Sequence, residues 1–459
     1  MGLSPFRYDY CVVGAGPSGL TIAYNLLKAK KSVVLIERDN RVGGLAKSHN
    51  FAGNIFDTGP KRFHTDDPIV LDFIQEVTNG HINKISRSTK VYYLDKYFEW
   101  PLQSKDLFKM PIGTSLKCAL DLLKNRTVTD KASFHQLINS KYGETLYESF
   151  FKPYTKKFLR WDVEDIHSDW ATTGINRTVI DKRIKAKSLF DLFKVLLLPE
   201  KIETEFLYPT QGGFGGFYDN LLGLCRQYPD FKLILSDSIV HLTDRGESFD
   251  ASTGKKEDLH FTQLIWSGNL NALSSLTNYS QTRLHYLNTI FYNIICKQEG
   301  ISDHKAQWIY VSQGNSLISR ITCMKEFAPY TCKEGYYNMI CELTDSQSNP
   351  VYFRDPQAYQ NGVLKELVSM RFLKDQRMIE AVHIIPVEDT YPIYHRRYIN
   401  DFSTTAAAIK KFSKRIHLLG RCGAFWYNNS DHSIRFAIEM ANRLLNGDTK
   451  EFNYRNYFG

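Results

Sequence analysis

The sequence predicts an α/β fold: a Rossmann-type dinucleotide-binding domain, an inserted helical domain and an antiparallel-sheet substrate domain. Three observations predict it. Residues 9–19, Asp-Tyr-Cys-Val-Val-Gly-Ala-Gly-Pro-Ser-Gly, link a short apolar run to a helical one through a glycine-rich turn, and Glu37 closes the next apolar run. Residues 72–203 switch to helical periodicity, and residues 287–404 return to short strand-like runs. The boundaries expected are 1–71, 204–286 and 405–459 for a discontinuous nucleotide-binding domain, 72–203 for the insertion and 287–404 for the substrate domain.

In chain order, residues 10–13 are a buried strand, 18–28 a helix and 33–36 a second strand. Gly14 makes the tight turn, Gly16 lets a pyrophosphate approach the backbone, and Gly19 lets helix and strand pack closely. Pro17 and Ser18 open the helix, whose free N–H groups face the phosphates, and Glu37 is placed to bind ribose hydroxyls. Arg38 follows, then Arg41-Val-Gly43-Gly44-Leu45. Residues 51–68 read as a hairpin ending in the Gly59-Pro60 turn, with a loop that can face the reacting ring. In the insertion, helices are expected at 113–124, 132–142, 144–158 and 187–197, interrupted by a hairpin at 92–101. A second glycine cluster, residues 208–218, opens a helix reaching Cys225 and lets backbone run close to a ligand. Two strands within 231–244 and one at 259–266 return the chain to the nucleotide-binding domain. The antiparallel sheet draws on 289–297, 307–311, 319–324 and 336–342, with a helix at 355–372. Last come a strand at 415–421, the Gly420-Arg421 turn and a helix from near Asp431, whose N-terminus can stabilise negative charge.

Composition sets bounds on function. At 459 residues the chain supports two or three domains, and its 43 % hydrophobic and 23 % charged content is that of a globular protein. The formal charge of +9 is dispersed, without a basic tail, which suits a phosphorylated small ligand and argues against nucleic acid. Eight cysteines without CxxC spacing read as free thiols in a reducing, cytoplasmic setting, and no metal site is expected. No signal peptide is expected, and no run reaches the roughly 18 apolar residues of a spanning helix.

The continuation through Gly43-Gly44 resembles the flavoprotein signature of the amine-oxidase superfamily, which implies FAD rather than NAD. Along nearly its whole length the chain resembles the UDP-galactopyranose mutases and their relatives among protoporphyrinogen-oxidase-like flavoproteins. The blocks that carry this are the fingerprint; Gly59 to Phe63; Phe151-Lys-Pro-Tyr154 leading to Asp169-Trp-Ala171; Tyr208-Pro209 with Gly212 to Gly216; and the tail, Tyr391-Pro392, Tyr394-His-Arg-Arg397 and Gly420 to Ser433. The resemblance implies FAD contacts from the fingerprint, Gly59, Pro60, Gly420, Arg421, Asp431, His432 and Ser433. It implies a substrate site in which Arg320 clamps a diphosphate, with Trp308 and Tyr310 at matching spacing and with Tyr391, Tyr427 and Asn429. Guanidinium and phenol are good diphosphate chemistry in any case. Two positions depart from the family. Position 174, where the mutases carry a second arginine, is glycine, with Arg177 the nearest candidate and Arg183 a further one. Lys61 stands where they place a histidine against the flavin, with His64 just beyond. Lys61, His64 and Arg421 are therefore the catalytic candidates.

The function this implies is a pyranose/furanose isomerisation of a nucleotide-diphosphate sugar through N5 of reduced FAD. An FAD-dependent oxidoreductase acting on a small molecule is the alternative, and a non-enzymatic binding module of the same fold is the third reading. The sugar, the base and the oligomeric state are left open.

Overall fold

The strand Arg7–Val13 is buried over its last four residues and lies parallel to Val33–Glu37 on one side and Asp258–Trp266 on the other. Val33–Glu37 is buried at every position, as expected of a parallel strand covered on both faces. In the computed structural model, which describes residues 7–100, 109, 111–122, 124, 127–175, 205–279, 283–302 and 306–448, this first sheet has seven strands. Its order is Ile239–Asp244, Phe249–Thr253, Asp258–Trp266, Arg7–Val13, Val33–Glu37, Phe231–Leu235, with Ile416–Leu418 parallel to Asp258–Trp266. The helices Ser430–Leu445 and Gly215–Cys225 pack on Pro17–Lys28. Gly19 makes the first layer possible: a Cβ there would lie 1.8 Å from the Gly14 carbonyl oxygen.

The second sheet also has seven strands, ordered Ile379–Pro392, Tyr286–Lys297, Tyr336–Ser346, Arg320–Cys323, Trp308–Val311, Thr89–Tyr93, Lys96–Glu99. Two features go beyond the sequence expectations. The hairpin Thr89–Tyr93/Lys96–Glu99, expected inside the helical insertion, joins this sheet through a parallel pairing with Trp308–Val311. The strand Ile379–Pro392 was not foreseen. Its Pro386 interrupts the strand pattern, yet it lies on an edge strand, where a missing N–H costs no ladder bond. The insertion contributes Ile112–Leu122, Phe134–Tyr142 and a helix from Glu144 to Leu159 that loosens into a π turn at Tyr147–Phe151. The expected helix at 187–197 lies outside the described residues. All eight cysteines are unpaired, and no helix among the described residues is long and apolar enough to cross a membrane.

Lys157 pins the helical insertion to the second sheet. Its buried Nζ donates to the carbonyls of Val311 (2.6 Å), Gln313 (2.9 Å) and Ile318 (2.9 Å), holding the loop between two strands. Lys157→Ala strands three carbonyls, and denaturant unfolding is expected to show a loss of about 2–5 kcal/mol.

Candidate active site

A cavity of about 1000 Å³ opens at the carboxyl ends of the first sheet's central strands. Gly14, Gly16, Pro17 and Ser18 line it at the first helix, Glu37 and Arg38 at the second strand, and Gly44 and Leu45 at the next turn. Gly420, Arg421, Asn429 and Ser433 close the far wall, and Lys61 enters from the side. The residues fit a dinucleotide. The first helix carries no side-chain cap on its N-terminus, so its N–H groups are open to phosphate. Glu37 is fixed by accepting from the N–H groups of Ala15 (2.7 Å) and Asp39 (3.0 Å), with its remaining lone pairs toward the cavity. Other expected FAD residues stand behind the wall: Gly43 turns the chain at φ +104°, and Asp431 is buried. His432 forms a capping box with Asn429 at the last helix.

The wall near Lys61 is strongly cationic. Burial lowers the Lys61 ammonium to about 7, repulsion from Arg421 and Arg320 adds to this, and Glu342 and Asp57 oppose it. Arg421 donates to the carbonyls of Thr390 (2.9 Å) and Asn428 (2.6 Å), and its guanidinium lies over the rings of Tyr391 (5.1 Å) and Tyr427 (4.8 Å). Arg421 thus touches both the cavity and the expected substrate residues. His64 is exposed, edge-on to Phe206 at 5.2 Å, and does not line the cavity.

On the second sheet, Tyr310 pairs in register with Arg320, and Arg320 with Glu342, so the three share one face. Arg320 donates to both Glu342 oxygens, Nε to Oε1 at 2.7 Å and Nη2 to Oε2 at 2.5 Å, and reaches the Tyr391 hydroxyl at 3.4 Å. Burial pulls this guanidinium down, but Glu342 outweighs it and holds Arg320 well above its ordinary value. Tyr391 and Tyr427 meet at 5.3 Å, and Trp170 stacks on Tyr427 at 5.8 Å. Trp308 is 1 % exposed and packs against Phe206 and Phe327 rather than lining the cavity. Arg177 and Arg183 lie outside the described residues.

Four residues of the site were missed in the sequence. Glu342 neutralises Arg320, and its only signal is strand register. Gly59 brings the Lys61 loop onto this pair: φ is +83°, and a Cβ would lie 2.8 Å from Glu342 Oε1. Asp57 accepts from Ser48 Oγ, from the Tyr208 hydroxyl (2.7 Å) and from the Phe214 N–H (3.1 Å), locking the hairpin to the second glycine cluster. Burial pushes its carboxyl up to about 6 against those three donors. Arg62 and Arg87 were also passed over, although Arg62 directly follows Lys61.

The Lys61 value sets a pH dependence. The folded state binds this proton more weakly than the unfolded chain, so its contribution to stability falls as pH drops from 10.5 to about 7 and is constant below. Lys61→Met removes this dependence. Thermal scans should show the variant gaining on wild type as pH falls through that window and gaining no more beneath it.

The family of NAD(P)-binding Rossmann-like domains matches residues 12–77. The UDP-galactopyranose mutase of Mycoplasma genitalium is 27 % identical over 457 residues, 95 % of each chain. That of Mycoplasma pneumoniae is 42 % identical over 72 residues, 15 % of this chain and 18 % of the relative. The chain therefore spans only a small part of that relative in the matched stretch. Among solved structures, a reduced UDP-galactopyranose mutase superposes with a TM-score of 0.83 at 18 % identity, covering 98 % of this chain and 96 % of that one. A putative protoporphyrinogen oxidase from Exiguobacterium sp. 255-15 gives 0.73 at 16 % identity, covering 96 % and 99 %. The chain is thus similar to the UDP-galactopyranose mutases along nearly its whole length and shares the fold of mutase and oxidase alike.

Proposed function

We propose that the protein is an FAD-dependent enzyme that isomerises the sugar ring of a nucleotide-diphosphate sugar between pyranose and furanose forms. One observation carries the reading: the cavity lined by the glycine-rich turn and Glu37 also takes in Lys61 and Arg421, and Arg421 lies against the Tyr391–Tyr427 pair beside Arg320. Reduced flavin, when bound, supplies the nucleophilic nitrogen for the anomeric carbon and ends the cycle with its electrons unspent.

The remaining work belongs to side chains. Tyr391 and Tyr427 present hydroxyls to the departing diphosphate, and Arg421, tied down by two carbonyls, holds a fixed positive charge between cofactor and substrate. Lys61 holds a proton on Nζ below about pH 7 and adds a charge that favours an anionic cofactor. The buried aromatic residues Phe158 and Trp170 pack against Tyr391 and Tyr427 and exclude water from that side. Lys61 also keeps the oxidoreductase reading open, because an ammonium cannot reproduce the hydrogen bonding of the histidine that the mutases place there.

Arg320→Ala is a poor test, since it leaves Glu342 buried without its partner and destabilises the fold. Tyr391→Phe and Tyr427→Phe are expected to weaken nucleotide-sugar binding roughly tenfold each while leaving FAD content unchanged. The activity test reduces the holoprotein with dithionite, incubates it with UDP- and dTDP-sugars, and separates the ring isomers by chromatography. Interconversion without net consumption of electrons supports the isomerase. Bleaching of the oxidised flavin by a substrate, with no added reductant, overturns it in favour of the oxidoreductase.

A further inference from the structure

The two guanidiniums that cover Trp308 have no carboxylate in contact among the described residues; Asp431 acts on Arg62 only through its field. Arg62 lies with its Cζ 4.7 Å from the Trp308 ring centre and 5.1 Å from that of Phe206. Among the described residues its one hydrogen bond is from Nη1 to the Pro60 carbonyl at 3.3 Å, and its Nε is buried without a partner. Arg87 lies 5.9 Å over the same indole, donates from Nε to Thr89 Oγ1 at 3.3 Å, and leaves a buried Nη2 without a partner. Neither forms an ion pair among the described residues. Strand register explains the meeting: Thr89 pairs with Trp308, so Arg87, two residues earlier, approaches on the same face.

Such an arrangement is costly without an anion. Desolvation lowers both guanidiniums below their ordinary values; Arg62 repels Arg87, and Arg320 repels Arg62, with Asp431 opposing the shift of Arg62. The indole face returns only part of that cost. Tyr310 faces both arginines and pairs in register with Arg320, so the open donors adjoin the expected diphosphate site. Arg320 itself is neutralised by Glu342 through two bonds, which leaves a doubly charged diphosphate without its matching cations unless others supply them.

We propose that Arg62 and Arg87, mounted over Trp308, form the seat for the substrate's diphosphate. The inference rests on the nucleotide-sugar reading above. Forked N–H donors left without partners on a rigid aromatic face suit a diphosphate, which accepts several charge-assisted bonds at once.

The test uses the FAD-loaded protein in magnesium-free buffer, with inorganic pyrophosphate and UDP as separate probes. Thermal midpoints and binding titrations are read for wild type, Arg62→Gln, Arg87→Gln and the double variant. Both probes should raise the wild-type midpoint, each single variant should bind them roughly tenfold more weakly, and the double variant should lose the response. FAD absorbance should not change, and without a probe the variants should melt no lower than wild type, since an unpaired buried charge has been removed. If Arg62→Gln does not fold, Arg62→Lys, which keeps the charge but loses the fork, gives the same readout. Variants that bind both probes as tightly as wild type overturn the inference and leave the nucleotide-sugar reading intact. Wild type that binds neither probe overturns both. A response to glucuronate without one to pyrophosphate assigns the seat to a sugar carboxylate and overturns the diphosphate.

Discussion

Arg320 and Glu342 face each other across two neighbouring strands with both guanidinium–carboxylate bonds made and little exposure, 12 % for the arginine side chain and 2 % for the carboxylate. A buried pair of this kind contributes little net stability, but it is costly to break. It therefore fixes position. The Gly59 backbone packs on the carboxylate so closely that no side chain fits, and the next residues are Pro60, Lys61 and Arg62. The loop that offers Lys61 to the cofactor cavity is thus registered against a strand pair of the other sheet. Each half of the site is placed by the other.

The pair also decides the charge balance around it. Once Glu342 is committed to Arg320, the cations Lys61, Arg62, Arg87 and Arg421 face few acids. Asp57 is buried and spends its oxygens on three donors; although burial pushes its carboxyl up to about 6, it is still mostly ionised at neutral pH and supports the charge on Lys61. Asp431 is the other acid that acts on Arg62. An excess of cations in a water-poor region is stable only when an anion arrives, and a dinucleotide with a diphosphate substrate brings several.

The cavity at the first sheet was readable in the sequence because one turn, one helix and one strand end shape it. Gly14, Gly16, Gly19 and Glu37 lie close together in sequence, and their spacing is the geometry of one turn and one helix. The substrate half is assembled differently. Glu342, Arg87 and Arg62 come from three separate segments, and only strand pairing brings them together. The hairpin Thr89–Tyr93/Lys96–Glu99 was recognised but assigned to the insertion, since nothing local reveals a parallel pairing with a strand far along the chain. Pro386 hid the strand Ile379–Pro392 because a single sequence does not show which strands are edges.

The spacing of Trp308, Tyr310 and Arg320 has a physical reading that also limits what it can mean. Residues 308 and 310 alternate onto the same face of one strand, and the antiparallel partner places Arg320 directly opposite Tyr310. The pattern therefore encodes a hairpin register, and any sequence with that register shows it whatever the site binds. The chemistry lies in what each position faces. Trp308 is packed between Phe206 and Phe327 under two arginines and is not among the residues lining the cavity at the first sheet. Tyr310, one step along the same face, is where the register and the open donors coincide. On the diphosphate seat proposed above, specificity depends less on the matched residues than on the unmatched cations beside them, Lys61 and Arg62.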